Sequence, residues 1–333
     1  MTARERKQDG IMPELLVYIG LPGSGKSTLA FTWLQEDPDG RIVVNRDAMR
    51  KQFFGDGWIW NRKDEDKVKA HQRAVVSRAL TAGLSVLIDD TNLSSHVRES
   101  WRQLTLQHGA SYVEQELNTP VDECIRRDRL RGDARVGQAV IDQMALRYGF
   151  LDWTFDPHGM LRNIAIVDID GTVANDSHRL HHLTEPNEHK ADCPFCPSKR
   201  LDVPCATCGR RPTWKNWPAY FAEMGQDTVI SGTKRLLEGL AFDHLLVFIS
   251  GRPISNSTTK TGIITEDWLV QHDIVFDRLF LRQDTDHRPS PEFKKEILDF
   301  MPKDKVAFIF DDDERCVEMY KAELPHATIL KVL

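Results

Sequence analysis

The chain has 333 residues, of which 41% are hydrophobic and 28% are charged, and its formal net charge is -6 at pH 7. This length allows two domains with separate cores, and the composition is typical of globular proteins, which excludes the disordered, coiled-coil and membrane classes. The negative charge gives no overall basic surface for nucleic acid, so such a partner has to be argued from individual sites.

Residues 1–13 form a polar tail without the apolar core of a secretory signal. No later apolar run approaches the length that spans a bilayer. We therefore expect an enzyme of the cytoplasm, the host cytoplasm if a phage encodes the chain, and no membrane partner.

A short apolar run at residues 15–19 leads directly into a glycine-rich loop. This order of strand, loop and helix is that of a P-loop, whose backbone N–H groups surround the β-phosphate of ATP. Lys26 would reach the β- and γ-phosphates, and the Ser27 hydroxyl would bind Mg2+. The predicted ATP-binding residues are Gly20, Gly23, Ser24, Gly25, Lys26, Ser27 and Thr28.

A second apolar strand, residues 42–44, ends in a charged loop that we expect beside the P-loop. Asp47 and Arg50 are three residues apart, so they share a face if a helix starts here. The pair suits a hydroxyl acceptor, because Asp47 can take the proton of the attacking hydroxyl while Arg50 holds a phosphate already on the substrate. An acid at a helix N-terminus beside a solvated arginine is an equal alternative.

A third apolar strand ends at Asp89 and Asp90, which is the form of a Walker B segment. Its acids would reach the Mg2+-bound phosphates or orient the acceptor. The stretch before this strand, about residues 64–81, has helical composition. Trp58 and Trp60 lie between the second strand and that helix, where they either stack on a base or pack in the core, and core packing is the commoner role.

Residues 126–132 include four arginines within six positions. So many arginines are expensive to bury, and in a P-loop kinase such a segment is a lid over the γ-phosphate. A solvated helix face is the alternative.

A turn-rich segment at residues 150–162 marks the boundary to a second half. Its first strand, residues 163–167, runs into Asp168-Ile169-Asp170-Gly171-Thr172. This pattern resembles the first motif of the haloacid dehalogenase-like phosphotransferases. The resemblance implies that Asp168 attacks a phosphoryl group while Asp170 handles the proton.

Later strands of the second half end in polar residues of the same kind. Residues 245–249 run into Ser250, Gly251 and Arg252, where the serine hydroxyl and backbone N–H groups can hold phosphoryl oxygens. Residues 306–310 run into Asp311 and Asp312, which resemble the family's magnesium ligands, together with Asp168 and the carbonyl of Asp170. Lys294 or Lys295 offers the cation that balances the nucleophile and the phosphate.

An insert at residues 183–213 carries two Cys-x-x-Cys pairs, Cys193 with Cys196 and Cys205 with Cys208. Four thiolates at this spacing are typical of a structural Zn2+ site. The spacer between the pairs is short, so a redox or accidental cluster is the alternative. Basic residues around the pairs either meet a nucleic-acid backbone or form a solvated rim.

Taken in order, the P-loop, Asn-Arg-Asp-x-x-Arg, Asp-Thr-Asn-Leu, the arginine segment and Asp-x-Asp-Gly-Thr resemble the phage-type polynucleotide kinase-phosphatases. The resemblance implies that Asp47 is the general base and that Arg50 binds the 3′-phosphate of the acceptor. It places Asp90 beside the acceptor and Arg127 and Arg131 on the ATP phosphates. It also matches Arg179 to an arginine that, with Arg252, would hold the substrate phosphate.

We therefore expect an α/β protein with a kinase domain at residues 14–158 and a phosphatase domain at residues 159–333. The first would be a P-loop NTPase-type parallel sheet with helices on both faces, and the second a haloacid dehalogenase-like Rossmannoid domain with a small zinc-binding cap.

The expected function is healing of nucleic-acid ends before a ligase acts, by a 5′-hydroxyl kinase and a 3′-phosphatase that could also open a 2′,3′-cyclic phosphate. ATP, Mg2+ and structural Zn2+ are the expected cofactors. A small-molecule kinase fused to a small-molecule phosphatase is the first alternative, and a repair scaffold with inactive sites is the second. The choice between RNA and DNA, and the oligomeric state, including a homo-oligomer, stay open.

Overall fold

A computed structural model describes residues 12–55, 58, 61–151, 153, 162–184, 215–255 and 260–332. The chain folds into two compact units, Met1–Asp152 and Trp153–Leu333. The predicted domain boundary after residue 158 and the four cysteines of the insert lie outside the described residues.

The first unit is built on a parallel sheet of four strands: β1 (Glu14–Ile19), β2 (Arg41–Val44), β3 (Ser85–Ile88) and β4 (Ser111–Glu116). Their order in the sheet is β2-β3-β1-β4. Its helices are α1 (Lys26–Glu36), α2 (Arg46–Phe54), α3 (Arg62–Thr81), α4 (Ser95–Gln107), α5 (Val121–Arg129) and α6 (Gln138–Tyr148).

Successive side chains of β1 point to opposite faces of the sheet, and both faces are covered by helices. Leu15 and Val17 pack with residues of α3 and α4, whereas Leu16 and Tyr18 pack with Ala30 of α1. A parallel strand buried on both faces reads as a continuous apolar run, which is why β1 has almost no polar side chain. The expected P-loop sheet with helices on both faces is therefore confirmed.

The second unit contains a parallel sheet of five strands: β5 (Asn163–Val167), β8 (His244–Pro253), β9 (Arg278–Arg282), β10 (Val306–Asp311) and β11 (Thr328–Lys331). Their order is β11-β10-β5-β8-β9, and a separate antiparallel pair joins β6 (Ala174–Asn175) to β7 (Thr228–Val229). The helices are α7 (His181–Thr184), α8 (Trp217–Ala222), α9 (Ser231–Leu240), α10 (Thr261–Gln271), α11 (Ser290–Leu298) and α12 (Glu314–Glu323).

The register of this sheet aligns the carboxyl ends of its three central strands. Val167 of β5 pairs with Phe310 of β10 on one side and with Phe248 of β8 on the other. The residues that follow these positions therefore leave the sheet at one edge, which is where parallel α/β sheets place their ligands. The edge contains Asp168, Ser250 and Asp311.

Phe248→Ala should destabilise the second unit by about 3–5 kcal/mol, because it leaves a cavity at a position that is 0% exposed in the sheet interior. Guanidinium unfolding of the whole chain, followed by tryptophan fluorescence, measures the shift. Phe242→Ala is the matched control, since this aromatic ring is 84% exposed and should unfold like the wild type. Equal shifts for the two variants would contradict the assigned core.

Candidate active sites

The P-loop of the first unit turns sharply between β1 and α1. Gly23 and Gly25 have φ values of 81° and 100°, a region that favours glycine. A Cβ on Gly23 would also lie 2.4 Å from the carbonyl oxygen of Cys124. The loop needs glycine at this position for both reasons, and it presents its backbone N–H groups at the start of a helix.

Lys26 lies inside the loop and is 8% exposed. Its Nζ donates to the carbonyls of Gly20 and Leu21, at 3.0 and 2.8 Å. Burial lowers the pKa of Lys26, and the charges of Asp89 and other neighbours oppose that shift only in part. The lysine is thus preorganised beside the loop in a setting that favours an anionic partner.

Asp89 at the end of β3 completes this group. Burial raises the pKa of Asp89, and the nearby Ser27 hydroxyl opposes that shift. Asn45 Nδ2 donates to the Asp89 carbonyl at 2.5 Å, which ties the end of β2 to the end of β3. Serine hydroxyl and acid together are the donor set that a P-loop kinase offers to Mg2+, and they fit that ion here.

The predicted acceptor residues lie at the start of α2. The Asp47 side chain is 81% exposed and accepts a hydrogen bond from Arg50. Arg50 is held in turn by Glu65 of α3, whose two carboxylate oxygens accept from Nε and Nη2 at 2.8 Å each. Burial would raise the pKa of Glu65, but the hydrogen bond and charge of Arg50 outweigh it and lower the pKa.

Asp90 contacts Arg46 at the start of α2. Its carboxylate accepts from the backbone N of Arg46 at 3.0 Å and from Arg46 Nε at 2.8 Å. Gln72 also donates to it at 2.8 Å. Asp90 therefore fixes the turn that carries Asp47, and its predicted contact with the acceptor stays a prediction.

The arginine segment forms the end of α5 and the turn that follows. Arg127 Nη1 lies 3.4 Å from the place of a Cβ on Gly25, so this side chain borders the P-loop. Arg131 pairs with the buried Asp128 at 3.3 Å, and each of the two arginine side chains is 44% exposed. Their predicted contacts with ATP stay predictions, while their position and exposure are compatible with a lid.

Trp58 stacks on Phe54 with ring centroids 5.4 Å apart, so it packs beside the end of α2. Trp60 lies outside the described residues.

In the second unit, Asp168, Asp311 and Asp312 each present a carboxylate oxygen within 4.8 Å of the others. Lys294 of α11 donates to Asp311 Oδ2 at 2.6 Å and lies 3.1 Å from Asp168 Oδ1. Lys295 points away and pairs with Asp299 and Glu323. The geometry thus favours Lys294 over Lys295 as the balancing cation.

The electrostatics of this cluster fit a divalent cation. Burial raises the pKa of Asp168 well above its usual value, although Lys294 opposes the shift. Burial and the charge of Asp311 raise the pKa of Asp312 to about 6. One lysine cannot balance the charge that three ionised carboxylates would carry, and oxygen ligands are those that Mg2+ prefers.

Gly171 lets the acid cluster assemble. Its φ is 70°, and a Cβ there would lie 2.3 Å from Asp312 Oδ2. Any larger residue would displace the carboxylate, so the glycine of the Asp-x-Asp-Gly-Thr motif has a steric function.

The Asp170 carboxylate turns away from this cluster toward two buried arginines. It accepts from Arg179 Nη2 at 2.5 Å and from Arg252 Nη2 at 2.7 Å. Burial would raise the pKa of Asp170, but the charges of Arg252 and Arg179 outweigh it and lower the pKa. The metal role predicted for this residue concerns its carbonyl and stays a prediction.

Asp227 is the residue that sequence reasoning missed in this network. It accepts from Arg179 Nε and Nη2 at 2.7 Å each and from Arg252 Nη2 at 2.5 Å. The side chains of all three residues are 0% exposed. Both arginines therefore stand behind Asp170, and their predicted direct contact with a substrate phosphate stays a prediction. The sequence carries no signal for Asp227, since it stands far from every motif.

Ser250 is 1% exposed at the end of β8, and its Oγ accepts from the backbone N of Arg252 at 3.3 Å. This small turn lies at the same edge of the sheet as Asp168. The predicted phosphoryl contact of the hydroxyl stays a prediction.

Two family models match the chain. Residues 15–151 match the AAA domain, and residues 212–331 match the phosphatase domain of the polynucleotide kinase PNKP. The chain joins a P-loop AAA domain to a polynucleotide kinase-type phosphatase domain. This order confirms the resemblance to the polynucleotide kinase-phosphatases, and the second match confirms a haloacid dehalogenase-like phosphatase domain.

Two known sequences are similar over different parts of the chain. A candidate bifunctional polynucleotide kinase/RNA ligase of Autographa californica nuclear polyhedrosis virus is 22% identical over 96% of this chain and 42% of its own length. The chain thus spans about two fifths of that viral protein. The L-seryl-tRNA(Sec) kinase of Methanococcus maripaludis is 25% identical over 53% of this chain and 67% of its own length.

Among solved structures, a chain of the Pnkp1/Rnl/Hen1 RNA repair complex is 22% identical, with 96% of each chain covered and a TM-score of 0.37. The APS kinase CysC of Mycobacterium tuberculosis is 24% identical over 35% of this chain and 69% of its own, with a TM-score of 0.30. At these TM-scores the likeness does not establish a shared arrangement.

No helix within the described ranges is long and apolar enough to cross a membrane.

Asp312→Asn should weaken Mn2+ or Mg2+ binding to the phosphatase domain at pH 7.5 by roughly tenfold or more, because it removes one anionic ligand of the cluster. Calorimetric titration measures the affinity for the metal ion. Asp304→Asn, in the turn Lys303–Lys305, is the control. Wild-type affinity should also rise between about pH 5 and pH 7, since the raised pKa of Asp312 lets protons compete with the metal at lower pH. Unchanged affinity in Asp312→Asn would contradict the site.

Proposed function

We propose that the chain heals nucleic-acid ends, as an ATP-dependent 5′-hydroxyl polynucleotide kinase and a 3′-phosphatase, before a ligase joins the ends. The observation that carries the proposal is the match of residues 212–331 to the PNKP phosphatase domain, because those residues supply Lys294 and the paired acids Asp311 and Asp312. The P-loop unit supplies the second activity from the same chain.

In the kinase unit, the P-loop and Lys26 hold the β- and γ-phosphates of ATP, and Ser27 and Asp89 are the residues that would bind Mg2+. The exposed Asp47 accepts the proton of the 5′-hydroxyl while the hydroxyl oxygen attacks the γ-phosphorus and ADP leaves. Glu65 fixes Arg50, and in this proposal Arg50 binds the acceptor's 3′-phosphate. Arg127 and Arg131 are the lid residues that stabilise the transferring phosphoryl group.

In the phosphatase unit, Asp168 attacks the phosphorus and the bond to the 3′-oxygen breaks, which leaves an aspartyl-phosphate and a 3′-hydroxyl. Lys294 and Ser250 hold the phosphoryl oxygens. A divalent cation, held by Asp168, Asp311 and Asp312, would supply charge compensation that lets one anion approach another.

Asp170 moves the protons of both steps. It protonates the leaving 3′-oxygen and then takes a proton from the water that hydrolyses the aspartyl-phosphate. Arg179 and Arg252 fix its carboxylate in place, and Asp227 fixes both arginines. Because these arginines lower the pKa of Asp170, they favour its ionised form, which the base step needs, and the protonating step slows as pH rises because the protonated form becomes scarcer.

Zn2+ binding by Cys193, Cys196, Cys205 and Cys208 belongs to the proposal on the strength of their spacing alone. The name of the viral relative joins a polynucleotide kinase to an RNA ligase in one protein, which supports a ligase acting downstream. A 2′,3′-cyclic phosphate is a further substrate to assay.

The deciding assay uses one oligonucleotide with a 5′-hydroxyl and a 3′-phosphate, incubated with Mg2+ and labelled ATP. We expect the wild type to label the 5′ end and to release the 3′-phosphate. Lys26→Ala should lose only the labelling, and Asp168→Ala only the release, each by about 10³-fold or more. Turnover of free nucleosides or sugar phosphates with no change at either oligonucleotide end would instead indicate a small-molecule kinase and phosphatase.

Lys294→Ala should lower the 3′-phosphatase rate by about 10²- to 10³-fold, since it leaves Asp168 and Asp311 facing each other without their cation. Lys295→Ala is the matched control one residue along, and it should keep the wild-type rate, because that lysine pairs only with Asp299 and Glu323 among the described residues. Release of inorganic phosphate from the oligonucleotide measures both. Equal losses would contradict the assignment.

A further inference from the structure

The helix α8 carries an aromatic cluster that the reaction steps above do not use. Trp217 lies parallel to Phe221 at an angle of 19°, with ring centroids 5.5 Å apart. It meets Tyr220 edge to face at a centroid distance of 5.6 Å. The indole is nevertheless 44% exposed, so two aromatic neighbours hold it in a fixed orientation while much of it faces solvent.

This cluster is continuous with the catalytic centre of the same unit. The Tyr220 ring lies over the Arg179 guanidinium, 4.0 Å from Cζ, and the Tyr220 hydroxyl donates to Asp176. Arg179 in turn donates to Asp170 at 2.5 Å. One tyrosine and one arginine side chain therefore separate the exposed indole from the carboxylate that handles the leaving-group proton.

The surroundings of the indole carry basic groups suited to a nucleotide. The Lys215 ammonium lies over the Trp217 ring, 5.5 Å from its centroid. His181 and His182 lie on α7, which packs against α8, with their rings 3.9 Å apart. Asp176 and Glu223 are acids in the same surroundings, and His182 Nε2 pairs with Glu223 at 3.0 Å.

We propose that Trp217 is a stacking platform for the nucleobase at the 3′ end of the substrate, and that the Lys215 side chain moves off the ring to meet a backbone phosphate. The proposal rests on the proposed 3′-phosphatase function and names the feature that makes this site select nucleic-acid ends. An aromatic ring held at a fixed angle accepts the π-face of any base, and a nearby cation adds attraction for the phosphodiester.

Stacking takes place away from the bond that breaks, and it is the same in the ground state and in the transition state. Such a contact lowers KM and leaves kcat unchanged. A substrate without a base should lose the whole effect. This separates a platform from a residue that merely supports Tyr220 and Arg179, because loss of support would lower kcat on every substrate.

The test compares an oligonucleotide 3′-phosphate with the same oligonucleotide whose terminal sugar lacks its base, and with 2-phosphoglycerol as a simple alkyl phosphate. For the wild type, we expect the KM of the base-bearing end to be roughly 10- to 100-fold below that of the abasic end, the range that one stacked base supplies. In Trp217→Ala this ratio should fall to about one, with little change in kcat. Trp217→Phe should restore most of the ratio.

Phe242→Ala is the control for removal of an exposed aromatic ring, because Phe242 precedes β8 at the opposite edge of the sheet and is 84% exposed. It should leave the ratio as in the wild type. A fall of kcat on all three substrates in Trp217→Ala, or an unchanged ratio, would overturn the platform while leaving the 3′-phosphatase function intact. A wild type that hydrolyses 2-phosphoglycerol and spares every oligonucleotide end would overturn both.

Discussion

Both units concentrate carboxylates at the carboxyl edge of a parallel sheet, and buried negative charge is stable only where positive charge or hydrogen bonds accompany it. In the phosphatase unit this constraint is met twice. Lys294 pairs with Asp168 and Asp311, while two arginines pair with Asp170. The incomplete compensation of the first group fits a divalent cation, and the full compensation of the second fixes a carboxylate in one orientation.

This division explains how two acids of one short motif can have different functions. Asp168 and Asp170 are only two residues apart, but their side chains enter different electrostatic surroundings. Burial raises the pKa of the first, and two arginine charges lower that of the second. The two carboxyl groups therefore have opposite pKa shifts, because a pKa responds to burial and nearby charge rather than to residue type.

The kinase unit meets the same constraint by pairing two acids with two arginines. Asp90 and Glu65 each hold one arginine of the α2 turn, Arg46 and Arg50, and so set the orientation of the segment that carries Asp47. Asp47 itself stays exposed, which agrees with the proposal that it is the general base for the acceptor. Rigid ion pairs behind an exposed base resemble the arrangement of Asp227 and the arginines behind Asp170.

The amino-acid sequence by itself determined the two parallel sheets, the P-loop and the acids at the strand ends. Continuous apolar runs specify strands buried on both faces, and the residues after them must meet at one edge. Gly23 and Gly171 could likewise be assigned from their motifs, since a local turn imposes their conformation. The choice of Lys294 over Lys295 was not available from the sequence, because it depends on which side of α11 faces Asp311.

Only the tertiary structure decided the partners of Asp170, Arg50 and Trp217. Asp227 is 48 residues from Arg179 and has no motif around it, and Glu65 is 15 residues from Arg50. Such pairs form because separate elements pack side by side, and no periodicity or spacing along the chain encodes which acid will meet which arginine. Local chemistry thus fixes the reacting atoms, while the packing of distant elements fixes their orientation and charge.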